Sequence, residues 1–80
     1  MGTNQRLEQT FRQALGVADI DCESLEYRGI EQWDSVAHMA LVTELETEFD
    51  VMLDTDEVIG MSSFKKAREI LVNHGVDFGA

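Results

Sequence analysis

The pair Asp34-Ser35 stands directly before a run of helical character, Val36 to Phe49, and its residue types and position suggest chemistry. Either side chain can cap a helix by accepting from a free backbone N–H of the first turn, and capping alone accounts for an Asp or Ser at such a place. One cap suffices, and neither register forms a capping box: the third helical residue is Ala37 with Asp34 as cap, and His38 with Ser35 as cap. The second side chain is left over. A serine hydroxyl in the first turn meets free amides and the positive end of the helix dipole, surroundings that favour a phosphate carried there.

Other groupings offer less. Ser35, His38 and an aspartate could be read as a hydrolytic triad, but no Gly-x-Ser-x-Gly elbow exists and His38 falls on an apolar helix stripe, where a hydrogen-bonded histidine is expected. Asp54, Asp56 and Glu57 resemble the start of an EF-hand loop; the spacing fails, because Ile59 stands where the glycine is needed and Lys65 where the bidentate Glu is needed. These carboxylates still offer weak Ca²⁺ or Mg²⁺ association as charge neutralisation. The one cysteine, Cys22, forms no internal disulfide framework or Cys-based zinc site; it suits a reducing compartment and reads as a small buried hydrophobe. His74, at the end of the last helical segment, is placed to interact with terminal carbonyls.

The elements that position these residues are helical. Leu7, Phe11, Ala14 and Leu15 share one face of a helix from Thr3 to Leu15, ended by Gly16. From Val17 to Trp33 no period persists, and Val17, Ile20, Leu25, Tyr27, Ile30 and Trp33 are scattered among polar residues. A connection this long in a small domain has a functional reason or conceals a short helical turn. Asp34 or Ser35 caps the second helix, which reaches Phe49 and is about 22 Å long. Thr55 caps a short turn, Asp56 to Ile59, closed by Gly60. Ser62 or Ser63 caps the last helix, with Phe64, Ala67, Ile70 and Leu71 on one face, and Gly75 with Val76 gives it a Schellman-type stop. No stretch alternates with period two and there is no proline, so the expected class is all-α, with three main helices and a short third one in a single domain, 1–80.

At about 100° per residue the second helix shows two sets. His38, Leu41, Val42, Leu45 and Phe49 form a core stripe. Val36, Met39, Ala40, Thr43 and Thr47 lie opposite, flanked by Glu44, Glu46 and Glu48. A small domain buries one such stripe well, so the second set is expected to stay exposed as a partner site rimmed by charge. The alternative is that Tyr27, Ile30 or Trp33 folds over Val36 and Met39 and completes the core.

Composition bounds the class. Sixteen acids against six bases give a formal charge of −10, while 44% hydrophobic residues, patterned by helical spacing, argue for a folded domain. Such a chain repels nucleic acid and anionic lipid, and its only basic cluster is Lys65, Lys66 and Arg68. The N-terminus has no apolar stretch of signal-peptide or membrane-span length, so a cytoplasmic protein without membrane insertion is expected.

The run Trp33-Asp34-Ser35-Val36-Ala37-His38-Met39, continued by Leu41-Val42, Leu45-Glu46 and Glu48-Phe49-Asp50, resembles the acyl carrier proteins, whose signature is Asp-Ser-Leu before a helix ending in Glu-Phe. The likeness spans nearly the whole chain: first helix, long loop, Asp-Ser at the second helix, an acidic short third element at Asp54 to Ile59, and a Ser-capped last helix. It implies a four-helix bundle with a long loop between helices 1 and 2. Ser35 would be the attachment point of 4′-phosphopantetheine, transferred from coenzyme A by a Mg²⁺-dependent phosphopantetheinyl transferase that Asp34 helps to recruit. The carrier would not be a catalyst: it would hold acyl groups as thioesters and, as a monomer, present them to acyl-loading and acyl-processing enzymes with basic docking patches. The second helix would be the main docking surface, drawing in Val36, Met39, Ala40, Thr43, Glu44, Glu46 and Glu48, with Asp56 from the third element.

Departures narrow the resemblance. Val36 replaces the usual Leu, Trp33 replaces a small residue, and Ala37 and Ala40 stand where carriers of fatty acid synthesis usually have acids. The form looks like discrete carriers of specialised lipid, polysaccharide or secondary-metabolite pathways. A carrier of general fatty acid synthesis, or an acidic helical interaction or metal-binding module without prosthetic group, are the alternatives. Charge placement fits a docking role: residues 29–64 hold nine acids and no Lys or Arg, while the remainder holds seven acids and six bases.

Overall fold

A computed structural model describes residues 2–79. It contains α1 (Thr3–Leu15), a 3-10 turn (Cys22–Ser24), α2 (Ser35–Phe49), α3 (Thr55–Gly60) and α4 (Phe64–Asn73), and no strand among the described residues. The class is all-α. The bounds of α1 and α2 coincide with those the spacing predicts, because each helix combines a continuous apolar stripe with a defined stop.

Three of the stops share one geometry. Gly16 (φ 69°) and Gly75 (φ 90°) adopt the left-handed conformation, and Val17 and Val76 donate back to Arg12 O and Leu71 O at 3.0 Å in both cases. These are Schellman closures, which satisfy carbonyls that the helix end would otherwise leave unpaired. At the end of α2 the same role falls to Asp50 (φ 53°), with Val51 N–H donating to Glu46 O at 3.2 Å. A residue with a Cβ in this conformation costs about 1 kcal/mol relative to glycine.

The core lies where α1, α2 and α4 face one another. Leu7, Phe11 and Leu15 of α1, Leu41, Val42 and Leu45 of α2, and Phe64, Ala67, Ile70 and Leu71 of α4 are buried. Ala14, His38 and Phe49, expected on the same stripes, are half-buried at its margin. Phe11 sits at the centre, edge-on to Phe64 with ring centroids 4.9 Å apart and to Trp33 at 5.5 Å. Such pairs add about 0.5–1.5 kcal/mol each beyond area burial.

The connection between α1 and α2 conceals one short helical turn and is pinned at several points. Asp21 Oδ1 accepts from Glu23 N–H at 3.2 Å, opening the 3-10 turn. Glu23 then forms a two-pronged pair with Arg68 of α4, at 2.7 and 2.8 Å, and Arg68 also donates to Asn4 of α1. Further on, Tyr27 N–H donates to Ser62 O at 2.8 Å and Phe64 N–H to Leu25 O at 3.0 Å, a lone antiparallel bridge centred on Glu26 and Ser63. Cys22, Leu25 and Trp33 hang from this backbone into the core. Burial raises the Cys22 thiol pKa, which disfavours the reactive thiolate.

α3 is built differently. Its cap is Asp54, one residue before the Thr55 expected from sequence: Asp54 Oδ1 accepts from Glu57 N–H at 2.8 Å while Glu57 Oε1 accepts from Asp54 N–H at 3.1 Å. This capping box decides the register, since Glu at the third helical position requires the cap at 54. Gly60 is the last helical residue and no side chain of α3 is fully buried. Ser63, of the two serines offered, caps α4 by accepting from Lys66 N–H at 3.0 Å.

Candidate functional site at the start of α2

Asp34 is the cap of α2, in extended conformation, with Oδ1 accepting from Ala37 N–H at 2.9 Å. Ser35 is therefore free of that duty. It is the first helical residue, exposed, and its hydroxyl has no hydrogen-bond partner among the described residues. Asp34 does the capping and Ser35 is left over, so of the two registers open in the sequence the structure takes Asp34.

What fixes the pair in place is Trp33. It stands just before the cap, fully buried, and stacks on His38, the fourth helical residue, with ring centroids 6.0 Å apart and planes 20° from parallel. These are the two positions of a hydrophobic staple, which sets the angle at which a chain joins its helix. Here the staple is also hydrogen-bonded: Trp33 Nε1–H donates to His38 Nδ1 at 3.0 Å, and His38 Nε2 lies 2.8 Å from Val58 O of α3. An indole N–H only donates and a carbonyl only accepts, so the two contacts together select the neutral imidazole with its proton on Nε2. Tyr27 stands edge-on to both rings, at 6.1 Å from Trp33 and 5.2 Å from His38. The peptide approach is held too, with Arg28 N–H donating to Trp33 O and Trp33 N–H to Ile30 O.

Trp33 and Tyr27 therefore face His38 and the core, and they do not cover Val36 and Met39. Val36 is 79% exposed and Met39 56% exposed, so the covering alternative does not hold. Ala40, Thr43 and Thr47 are exposed on the same side. Thr43 and Thr47 donate their hydroxyls to Met39 O and Thr43 O, four residues back in the helix, which satisfies them within it. On α3, which is tied to α2 through Val58, Ile59 is likewise 75% exposed. Ala37, read as a missing acid on this face, is half-buried against the core.

The carboxylates separate into two groups. Glu46 turns to the loop after α2 and accepts from Leu53 N–H at 2.9 Å; Glu48 pairs with Arg6 of α1 at 2.9 Å, and Arg6 also donates to Glu48 O. Both flank the patch in sequence but are engaged within the fold. Glu44 and Asp56 are exposed and have no hydrogen-bond partner among the described residues. His74 does not serve terminal carbonyls with its ring: Nε2 meets both Glu57 oxygens at 2.8 Å, joining α4 to α3. That hydrogen bond, with the Asp54 N–H, lowers the Glu57 pKa. No group of His, Cys, Asp and Glu suited to a metal ion occurs among the described residues, and no described helix is long and apolar enough to cross a membrane.

The pairing of Trp33 with His38 is the functional feature missing from the sequence reading, although its signal, aromatic residues at the two staple positions around Asp34, was legible. Comparison of the chain with models of protein families, with curated proteins and with solved structures finds no match.

Proposed function

We propose that the protein is an acyl carrier protein, a four-helix bundle modified at Ser35 with 4′-phosphopantetheine. The observation that carries the reading is an exposed, unpartnered serine at the first position of α2, relieved of capping by Asp34 and adjoining an open apolar patch. The residues suit the group: the amides of Ser35 and Val36 lie in the first turn, outside the Asp34–Ala37 cap, and face the end of the helix that favours an anion. When bound, the group supplies a thiol on a flexible arm that holds an acyl group as a thioester. Asp34 orders the turn and Ser35 provides the attachment oxygen. Val36, Met39 and Ala40, with Thr43, form the contact for the transferase and for acyl-loading and acyl-processing enzymes, and Glu44 and Asp56 steer their basic patches. A small apolar contact with a carboxylate rim suits brief docking, because steering speeds encounter without tight binding.

The exposed Ala40, uncharged on the face next to Ser35, favours a carrier for a specialised lipid, polysaccharide or secondary-metabolite pathway over one of general fatty acid synthesis. The test is incubation of the chain with coenzyme A, Mg²⁺ and a broad-specificity phosphopantetheinyl transferase, followed by intact mass. One phosphopantetheine is gained by the wild type and none by Ser35→Ala. A starting protein free of the group that gains none would exclude the carrier reading and leave an acidic interaction module.

A further inference from the structure

Three hydrogen-bonding groups from three elements meet in one chain: the indole of Trp33 from the connection, the imidazole of His38 from α2 and the carbonyl of Val58 from α3. We infer that His38 is a positioning residue for modification of Ser35, holding the first turn of α2 against a buried Trp33 on one side and α3 on the other. The inference rests on the carrier reading of Ser35.

The Ser35 hydroxyl is exposed and has no hydrogen-bond partner among the described residues, so its place is set by the backbone of residues 33–35 and the first turn. Asp34 secures that turn only locally, through Ala37 N–H. The longer-range restraint is Trp33, fully buried in the core, whose ring stacks on His38, one turn along α2 from Ser35. Both imidazole nitrogens are in use, one accepting and one donating, so an apolar ring or chain of equal size could fill the space but could not make either bond. α3 has no fully buried side chain and only Val58 packs half-buried against the core, so the bond from His38 to Val58 O is a specific tie between α3 and α2.

Attachment demands that placement. The Ser35 oxygen must attack the phosphorus that bears the pantetheine in coenzyme A. A new oxygen–phosphorus bond forms, the bond to the nucleotide half breaks, 3′,5′-ADP leaves, and the serine proton passes to a base on the transferase. The patch of Val36 and Met39 governs docking, whereas the position of the serine oxygen governs the transfer step, and a misplaced nucleophile lowers the rate of that step. His38→Leu keeps the bulk and removes both bonds. His38→Gln restores an acceptor and a donor on one side chain.

Transfer kinetics on the full chain, with coenzyme A and Mg²⁺, test this beside thermal melts of each variant. The expectation for His38→Leu, folded at the assay temperature, is a kcat about tenfold lower with KM for the carrier within about twofold of wild type, the loss of one or two hydrogen bonds being of that order. His38→Gln should recover most of kcat. If His38→Leu does not fold, Trp33→Phe, which deletes the indole N–H and keeps a buried ring, serves in its place and should lower kcat in the same sense. An unchanged kcat in folded His38→Leu overturns the inference and leaves the carrier reading standing; so does a His38→Gln no better than His38→Leu, which would mark packing alone. A wild type that accepts no phosphopantetheine overturns both.

Discussion

The connection between α1 and α2 and the short helix α3 are opposite solutions to holding a segment on a small core. The connection, residues 16–34, has almost no regular structure, yet it buries Cys22, Leu25 and Trp33 and ties Glu23 to Arg68. α3 is regular, capped and closed by a capping box, yet has no fully buried side chain: Val58 packs half-buried against the core, and the helix is tied by Val58 O on His38 and by Glu57 on His74. Periodicity and anchorage are thus separate properties. A local hydrogen-bond pattern decides whether a helix forms; apolar burial decides how firmly a segment is held. Ser35 lies at the junction, at the firm end of one segment and linked through His38 to the loose one.

The sharpest way to break the contrast is Trp33→Ala. Removing a fully buried indole that packs on Phe11 and His38 should cost about 3–5 kcal/mol, a large share of the stability of so small a domain. Urea or thermal unfolding measures it, and a loss under about 1 kcal/mol would mean that the connection is held by its backbone bonds rather than by its side chains.

Acid should loosen both segments, and the sign follows from the pairs. Arg68 lowers the Glu23 pKa by hydrogen bond and charge, and His74 lowers that of Glu57, again by hydrogen bond first. A carboxylate whose pKa is depressed in the fold contributes stability above its unfolded pKa, and that contribution is lost as pH falls through the folded pKa. Melting temperature should therefore fall below about pH 4, and the gap between wild type and Glu23→Gln should close over the same range. Glu23 is more than a third exposed, so screening keeps the effect well below that of Trp33→Ala. A gap that persists at low pH would assign the effect of Glu23→Gln to something other than its charge.

How much of this was legible follows the same division. The bounds of α1 and α2 and the stops of α1 and α4 were, because a stripe and a Gly-Val closure are patterns within a few residues, whereas the Asp50 stop of α2 carries no glycine to mark it. The register of α3 was missed by one position although Asp54 and Glu57 carry a capping-box pattern. Contacts across long stretches were not legible: Arg6 to Glu48, Arg68 to Glu23, and the bridge of Glu26 with Ser63 depend on where the helices meet. Hence Glu46 and Glu48 read as free rim charges and His74 as a helix-end residue, whereas each has a partner within the fold. At the site, Asp34 and Ser35 were visible as a pair, but only the geometry separates the capping residue from the free one.

Asp54→Ala sharpens the contrast from the other side. Losing the cap should cost about 1 kcal/mol. With no fully buried side chain on α3, the loss should appear as faster amide exchange confined to residues 55–60, while α1, α2 and α4 keep their protection. Exchange that rises everywhere to the same extent would show α3 to be a full member of the cooperative core.

Met39→Glu has the smallest expected effect on stability, and that smallness is the point. Met39 is 56% exposed, on the side of α2 away from both the buried connection and the core stripe, so the unfolding free energy should change by no more than the roughly 0.5 kcal/mol typical of surface changes. Partner docking, read as KM for the carrier in the transferase assay, should weaken by about tenfold, as expected when a charge enters the centre of a small apolar contact. The same variant separates two uses of one helix: with kcat retained and KM raised, Met39 affects docking and His38 positioning, the two residues being neighbours in sequence but about 100° apart around the helix. A large loss of helicity would instead place Met39 in the fold's own packing, on the same footing as Trp33.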